Sequence, residues 1–179
     1  MNFENFHSQL DLPFLETDTK FIKEIFLTLE SEFEFKINSK LKFIDLGSGN
    51  GSVVIFTALN YNIKSYGIEI NKKLINEAKS RIKALKNEKN CYKSKLRKIK
   101  VKLGDFYYQN LKDYDFIYIY SLPSMHKYLK HVFSTAKKGA IIISHRHHLK
   151  RFKSILKYEY RLTHENDRQE IYSFFYKKF

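Results

Sequence analysis

A doubly wound α/β fold with a mainly parallel sheet is predicted by three observations. Short apolar runs alternate with stretches of helical period, two of those runs are apolar almost throughout, and a glycine cluster follows the first of them. The first helix is predicted over Thr19–Phe33. There Phe21, Ile22, Ile25, Phe26 and Leu29 make one apolar stripe, and Thr17 or Asp18 supplies the cap. Residues 41–46 then form a strand that ends at the glycines, and residues 52–59 read as a buried helix. Residues 65–70 are a second strand, with Asn71 capping a helix that carries Leu74, Ile75 and Ala78. Residues 99–105 alternate with period two, 115–120 are almost continuously apolar, a helix is predicted over 124–137, and 140–144 make a fifth strand. Residues 155–162 and 170–176 differ: a polar turn from His164 to Arg168 joins them as an antiparallel pair at the sheet edge.

Strands that alternate with helices imply right-handed crossovers and helices on both faces of the sheet. The expected plan is therefore a Rossmann-like, doubly wound mixed sheet of seven strands: five parallel strands plus a C-terminal antiparallel hairpin. No proline-rich linker or repeat divides the chain. A single domain is expected, with residues 1–40 as an N-terminal segment and helix, 41–145 as the ligand-binding core and 146–179 as the closing strand pair.

The sharpest local signal is Asp45-Leu46-Gly47-Ser48-Gly49-Asn50-Gly51, between a strand and a helix. Glycines there let the chain turn tightly and let a ligand lie against the main chain. A dinucleotide turn needs G-x-G-x-x-G, with a pyrophosphate at the helix start. Here the third glycine comes one place early, and Asp45 would repel a pyrophosphate. A phosphate-free ligand with an amino group fits instead, and S-adenosylmethionine meets that description. Glu69 ends the second strand, where an acid can hold both hydroxyls of a ribose, and Asp105 ends the third beside Phe106, facing an adenine edge. Taken singly, Asp45 and Glu69 also read as helix caps and Asp105 as a turn residue. Their combination with the glycine spacing selects a cofactor site.

From Leu41 to about His145 the chain resembles class I S-adenosylmethionine-dependent methyltransferases, whose antiparallel closing strand suits the terminal hairpin. The resemblance implies that Asp45, Gly47 and Gly49 line the methionine part of the cofactor, Glu69 the ribose and Asp105 the adenine, with Ser48 and Phe106 as further contacts. Three short motifs bring the chain closer to the small archaeal and mitochondrial-type protein-lysine methyltransferases: Leu12-Pro13-Phe14-Leu15-Glu16-Thr17, Gly67-Ile68-Glu69-Ile70-Asn71 and Ser121-Leu122-Pro123-Ser124-Met125. That resemblance implies a lid before the first helix that folds over the cofactor, with Thr17 at its methionine end. Leu15 and Glu16 depart from the Val-Pro pair common in that family.

Residues after the fourth strand face the acceptor in such enzymes, which assigns acceptor positioning to Tyr120, Ser121 and Pro123. A lysine amine must be neutral to attack a methyl group, and an apolar channel favours that form. Tyr120, Phe106, Tyr107 and Tyr108 are candidate walls, although aromatic residues also serve as plain core packing. The preferred acceptor is the lysine side chain of a protein, acidic or RNA-associated. The alternative is an RNA or DNA base amine. Enzymes of that class carry Asn, Asp or Ser, then Pro-Pro and an aromatic residue at this turn, whereas Ser121-Leu122-Pro123-Ser124 lacks the first proline and the ring. A second alternative is a module that only binds cofactor or RNA.

The net charge is +14, and residues 79–102, from Lys79 to Lys102, are basic with Glu88 as their single acid. That segment reads as a phosphate-binding face or as the solvated surface of a lysine-rich composition. Cys91 is the only cysteine, which excludes an internal disulfide and fits a reducing, cytoplasmic setting. No membrane span or secretory leader is read, and a monomer or weak homo-oligomer is expected. His126, His131, His145, His147 and His148 cluster near the fifth strand without thiols or acids beside them, so no metal site is assigned.

Overall fold

The computed structural model describes residues 14–88, 93–165 and 169–179. Helix α1 (Thr19–Phe33) precedes β1 (Lys42–Leu46), α2 (Ser52–Tyr61), β2 (Lys64–Glu69), α3 (Lys72–Asn87), α4 (Lys93–Leu96) and β3 (Ile99–Leu103). Then come β4 (Phe116–Ile119), α5 (Lys130–Ser134), β5 (Ile141–His145), β6 (Leu156–His164) and β7 (Ile171–Lys178). Leu12, Pro13, Cys91, Tyr92 and the centre of the 166–168 turn lie outside the described residues.

All seven strands form one sheet in the order β3-β2-β1-β4-β5-β7-β6. β1 runs parallel to β2 and β4, β2 to β3, and β4 to β5. β7 inserts antiparallel between β5 and β6, as the predicted closing hairpin requires. The chain winds away from β1 in both directions, which opens a crevice at the carboxyl ends of β1 and β4.

β1, β4 and β5 are buried on both faces. On one face Phe43, Phe116, Tyr118, Ile141, Ile143 and Phe175 pack under the α1 stripe of Ile22, Ile25, Phe26 and Leu29. On the other, Ile44, Leu46, Ile117, Ile119 and Ile142 pack against Leu129, Val132 and Phe133. The two caps read from sequence are in place: Asp18 accepts from Lys20 N–H at 2.7 Å, and Asn71 accepts from Lys73 N–H at 2.9 Å.

The helix expected over 124–137 is instead a 3₁₀ turn, Pro123–Tyr128, followed by the short α5. Three-residue bonds close it, Met125 N–H to the Leu122 carbonyl at 2.9 Å and Leu129 N–H to that of His126 at 3.0 Å. Its buried His126, Leu129 and Val132 recur at every third position, the period of the tighter helix.

A chain of buried polar groups fastens α1 to the closing strands. His164 bonds the Glu24 carboxylate at 2.5 Å, and the Ser173 hydroxyl bridges His164 at 2.8 Å and His145 at 2.9 Å. Burial outweighs the Glu24 carboxylate and holds His164 below its ordinary value, so the contact is a hydrogen bond from a neutral ring. His145 is driven from 6.5 to about 3, first by burial and then by the neighbouring His164, Arg146 and His147. A depressed folded-state value stabilises the fold above pH 6.5, and that stability is lost as pH falls toward 3. The slope is about 1.4 kcal/mol per pH unit for each such histidine. Thermal denaturation should show Tm falling on acidification below pH 6.5, and His145→Gln should flatten that fall.

Candidate active site

A cavity of about 510 Å³ opens at the carboxyl ends of the strands. Thr17, Asp45, Gly47, Ser48, Glu69, Asp105, Phe106 and Tyr120, eight of the residues read from sequence, line it together. The loop after β1 is pinned to β2, because Gly47 and Ser48 both donate to the Ile68 carbonyl, at 2.9 and 3.0 Å. Gly49, with φ +52, lies under the Phe14 ring; the left-handed backbone favours glycine there, and a Cβ would displace the exposed ring, which stands 2.1 Å from its place.

Glu69 accepts from Gly49 N–H through one oxygen at 2.9 Å and from Asn71 N–H through the other at 2.8 Å. Each oxygen keeps one lone pair, a spacing suited to two vicinal hydroxyls. The carboxylate thus shapes the loop and still has capacity for a ligand. Asp45 is 3% exposed, and no hydrogen bond among the described residues reaches its carboxyl group. Burial, followed by the Glu69 charge, pushes it well above the ordinary 3.8. It does not cap α2, whose N-cap is Gly51 without a side-chain bond. Asp105 does cap the turn that follows it, accepting from Tyr107 N–H at 2.8 Å, and it also lines the cavity.

The segment before α1 lies across this cavity. Thr17 is buried and shares a 2.9 Å hydrogen bond with the Tyr118 hydroxyl on β4. Glu16, absent from the sequence assignments, accepts from the Ser52 hydroxyl and pairs with Arg81 of α3 at 3.5 Å. Arg81 also donates to the Ser52 hydroxyl at 2.7 Å and to the Asn50 carbonyl at 3.3 Å. The Ser52 bond, ahead of the weaker Asn50 and Arg81 contributions, holds Glu16 below its usual range. The departure from Val-Pro at Leu15 and Glu16 therefore marks a polar fastening between lid and glycine loop. Glu16→Ala should speed release of the cofactor roughly two- to fivefold in stopped-flow measurements, the yield of an exposed ion pair. Unchanged release would mean that the fastening does not hold the lid.

At the acceptor end Tyr120, Leu122 and Met125 line the cavity beside Tyr118. Ser121 and Pro123 do not join them. The Ser121 hydroxyl is buried without a partner among the described residues, and Pro123 is exposed at the start of the 3₁₀ turn. Tyr108 is 73% exposed and stands outside the cavity. Leu122 and Met125 belong to the segment after β4 read as facing the acceptor, whereas Tyr118 escaped that reading because a buried strand offers no signal for which of its residues turns toward a ligand.

Residues 45–155 match the family described as the ANTKMT methyltransferase domain. The chain belongs to that family. An ANTKMT-family domain is an S-adenosylmethionine-dependent methyltransferase, and its cofactor is S-adenosylmethionine. No curated protein matches the chain. Among solved structures, an RNA methyltransferase from Salinibacter ruber with S-adenosyl-L-homocysteine is 19% identical and has a TM-score of 0.66, with 90% of this chain and 93% of that one covered. The magnesium protoporphyrin IX methyltransferase from Synechocystis with bound cofactor is 13% identical with a TM-score of 0.68, covering 97% and 91%. A precorrin-6y C5,15-methyltransferase from Geobacter metallireducens is 15% identical with a TM-score of 0.60, covering 93% and 92%. These neighbours share the fold of the ANTKMT-family chain.

The residues present fit the cofactor. Among the described residues Asp45 offers a buried carboxyl without a partner to an ammonium group, Glu69 keeps two lone pairs for the ribose, and the buried Ser48 hydroxyl lacks a partner. Among the described residues no histidine, cysteine and acid cluster suits a metal ion, and no helix is long and apolar enough to cross a membrane.

Proposed function

We propose that this chain methylates lysine side-chain amines of proteins. The observation that carries the proposal is the apolar and aromatic wall at the acceptor end, formed by Tyr118, Tyr120, Leu122 and Met125. Such a wall accommodates an aliphatic stem and disfavours a charged ammonium group, leaving the neutral nucleophile that the reaction needs. When bound, the cofactor supplies an electrophilic methyl group. The chain's residues hold it by the acids at the strand tips, exclude water with the lid from Phe14 to Thr17, and orient the amine with Tyr120. Burial raises the Tyr120 hydroxyl above its ordinary value, against the opposing pull of Arg146, so at neutral pH it is protonated and bonds the amine as a neutral group rather than acting as a phenolate base.

Transfer to an RNA base is the second reading, favoured by exposed lysines such as Lys100 and Lys102 on the edge strand β3. Part of that basic segment has structural work, however. Lys95 and Lys98 donate to the Leu59 and Asn62 carbonyls at the end of α2, both at 2.6 Å, and Arg81 holds the lid. Incubating a cell extract with radiolabelled cofactor separates the readings. Label that survives nuclease, is released by protease and is recovered as methyl-lysine is the expected result; label confined to nucleotides overturns the lysine reading.

A further inference from the structure

Just beyond β5 the backbone makes a three-residue turn centred on Arg146. His147 N–H donates to the His145 carbonyl at 2.9 Å, and Arg146 has φ +66. A positive φ in a γ-turn is the rare, strained form, tolerated far better by glycine or asparagine than by arginine. The turn is held from several sides: Arg146 N–H donates to the Tyr172 carbonyl at 2.7 Å, and the Ser144 hydroxyl donates to the His147 carbonyl at 2.6 Å. Strain held this firmly places a particular side chain at a particular point.

That side chain does not line the cavity itself but stands over a residue that does. The guanidinium carbon lies 5.8 Å from the centre of the Tyr120 ring, and Tyr120 lines the cavity. Arg146 is half-buried, its Nε is fully buried without a hydrogen-bond partner, and no acid among the described residues pairs with it. A partly desolvated guanidinium with an unused donor is costly to leave unpaired, and its planar fork matches a carboxylate.

We propose that Arg146 receives the carboxylate of an aspartate or glutamate beside the target lysine, so that the enzyme selects lysines in acidic segments. The inference rests on the lysine reading above. Arg146 is assigned to substrate recognition and takes no part in the transfer of the methyl group.

The test uses the full chain, radiolabelled S-adenosylmethionine, and synthetic peptides in which one lysine is flanked by acidic, neutral or basic residues, with total RNA assayed in parallel. The wild-type protein should label acid-flanked lysines roughly tenfold more than base-flanked ones. Arg146→Glu should reverse that order. Arg146→Gly, which relieves the strained turn, should unfold no earlier than wild type, keep its affinity for S-adenosylmethionine, and lose the preference for acids. Equal labelling of all lysine peptides by wild type, or a preference ratio unchanged in both variants, overturns the role of Arg146 while the lysine reading stands. Label in RNA with none in any peptide overturns both.

Discussion

Glu69→Ala should weaken binding of S-adenosylmethionine by about a hundredfold, the loss expected when a charged acceptor of two hydrogen bonds is removed. Calorimetric titration measures this directly. The same change strips the partners from the Gly49 and Asn71 N–H groups, of which the first is buried, so it should also destabilise the ligand-free protein by about 1–3 kcal/mol. Glu69→Gln separates the two effects: it keeps an oxygen for one N–H while presenting an amide where the second carboxylate oxygen stood. Wild-type affinity in the alanine variant would remove Glu69 from the ribose assignment.

Asp45 should give an effect of opposite sign in the free and bound states. Its value in the folded, ligand-free protein is raised by burial and then by Glu69. A carboxyl raised above its unfolded value contributes stability that is present below the ordinary 3.8 and lost as pH rises through the raised value. The ligand-free protein therefore carries a liability near neutral pH that the ammonium group of the cofactor offsets. The rise in Tm on adding cofactor should be larger at about pH 8 than at about pH 5. Asp45→Asn should raise the Tm of the ligand-free protein, flatten the pH dependence of the cofactor increment, and cost ten- to a hundredfold in affinity. A cofactor increment in the wild type that does not change with pH would sink the assignment.

The strand tips were legible because their chemistry is local. Asp45, Glu69 and Asp105 each stand at the end of a stretch with strand period, and the fold needs only the period of those stretches to bring the tips together. Strand positions were read to within two or three residues for the same reason. The 123–134 segment was misread because its apolar spacing satisfies both a 3₁₀ and an α period, and Pro123 starts the tighter form. The lid fastening was invisible because Glu16, Ser52 and Arg81 are polar residues far apart in sequence, and pairing between them follows from where α3 lies across the glycine loop. Arg146 carries no signal in the sequence beyond its charge. Its positive φ stands where the pairing of β5 with β7 ends and Arg146 N–H meets the Tyr172 carbonyl, a long-range contact that no local pattern encodes.

The bond between Glu24 and His164 joins residues 140 positions apart, and β7 fills the gap between β5 and β6. On a ribosome, α1 therefore emerges long before the strands it docks against. Its Phe21, Ile22, Ile25, Phe26 and Leu29 stay uncovered in part until Phe175 and the histidine chain arrive. Contacts of such long sequence separation make the final docking slow relative to helix formation. A nascent chain arrested before β6 would thus be a client for chaperones, with a finished glycine loop and an α1 whose apolar stripe is only partly covered.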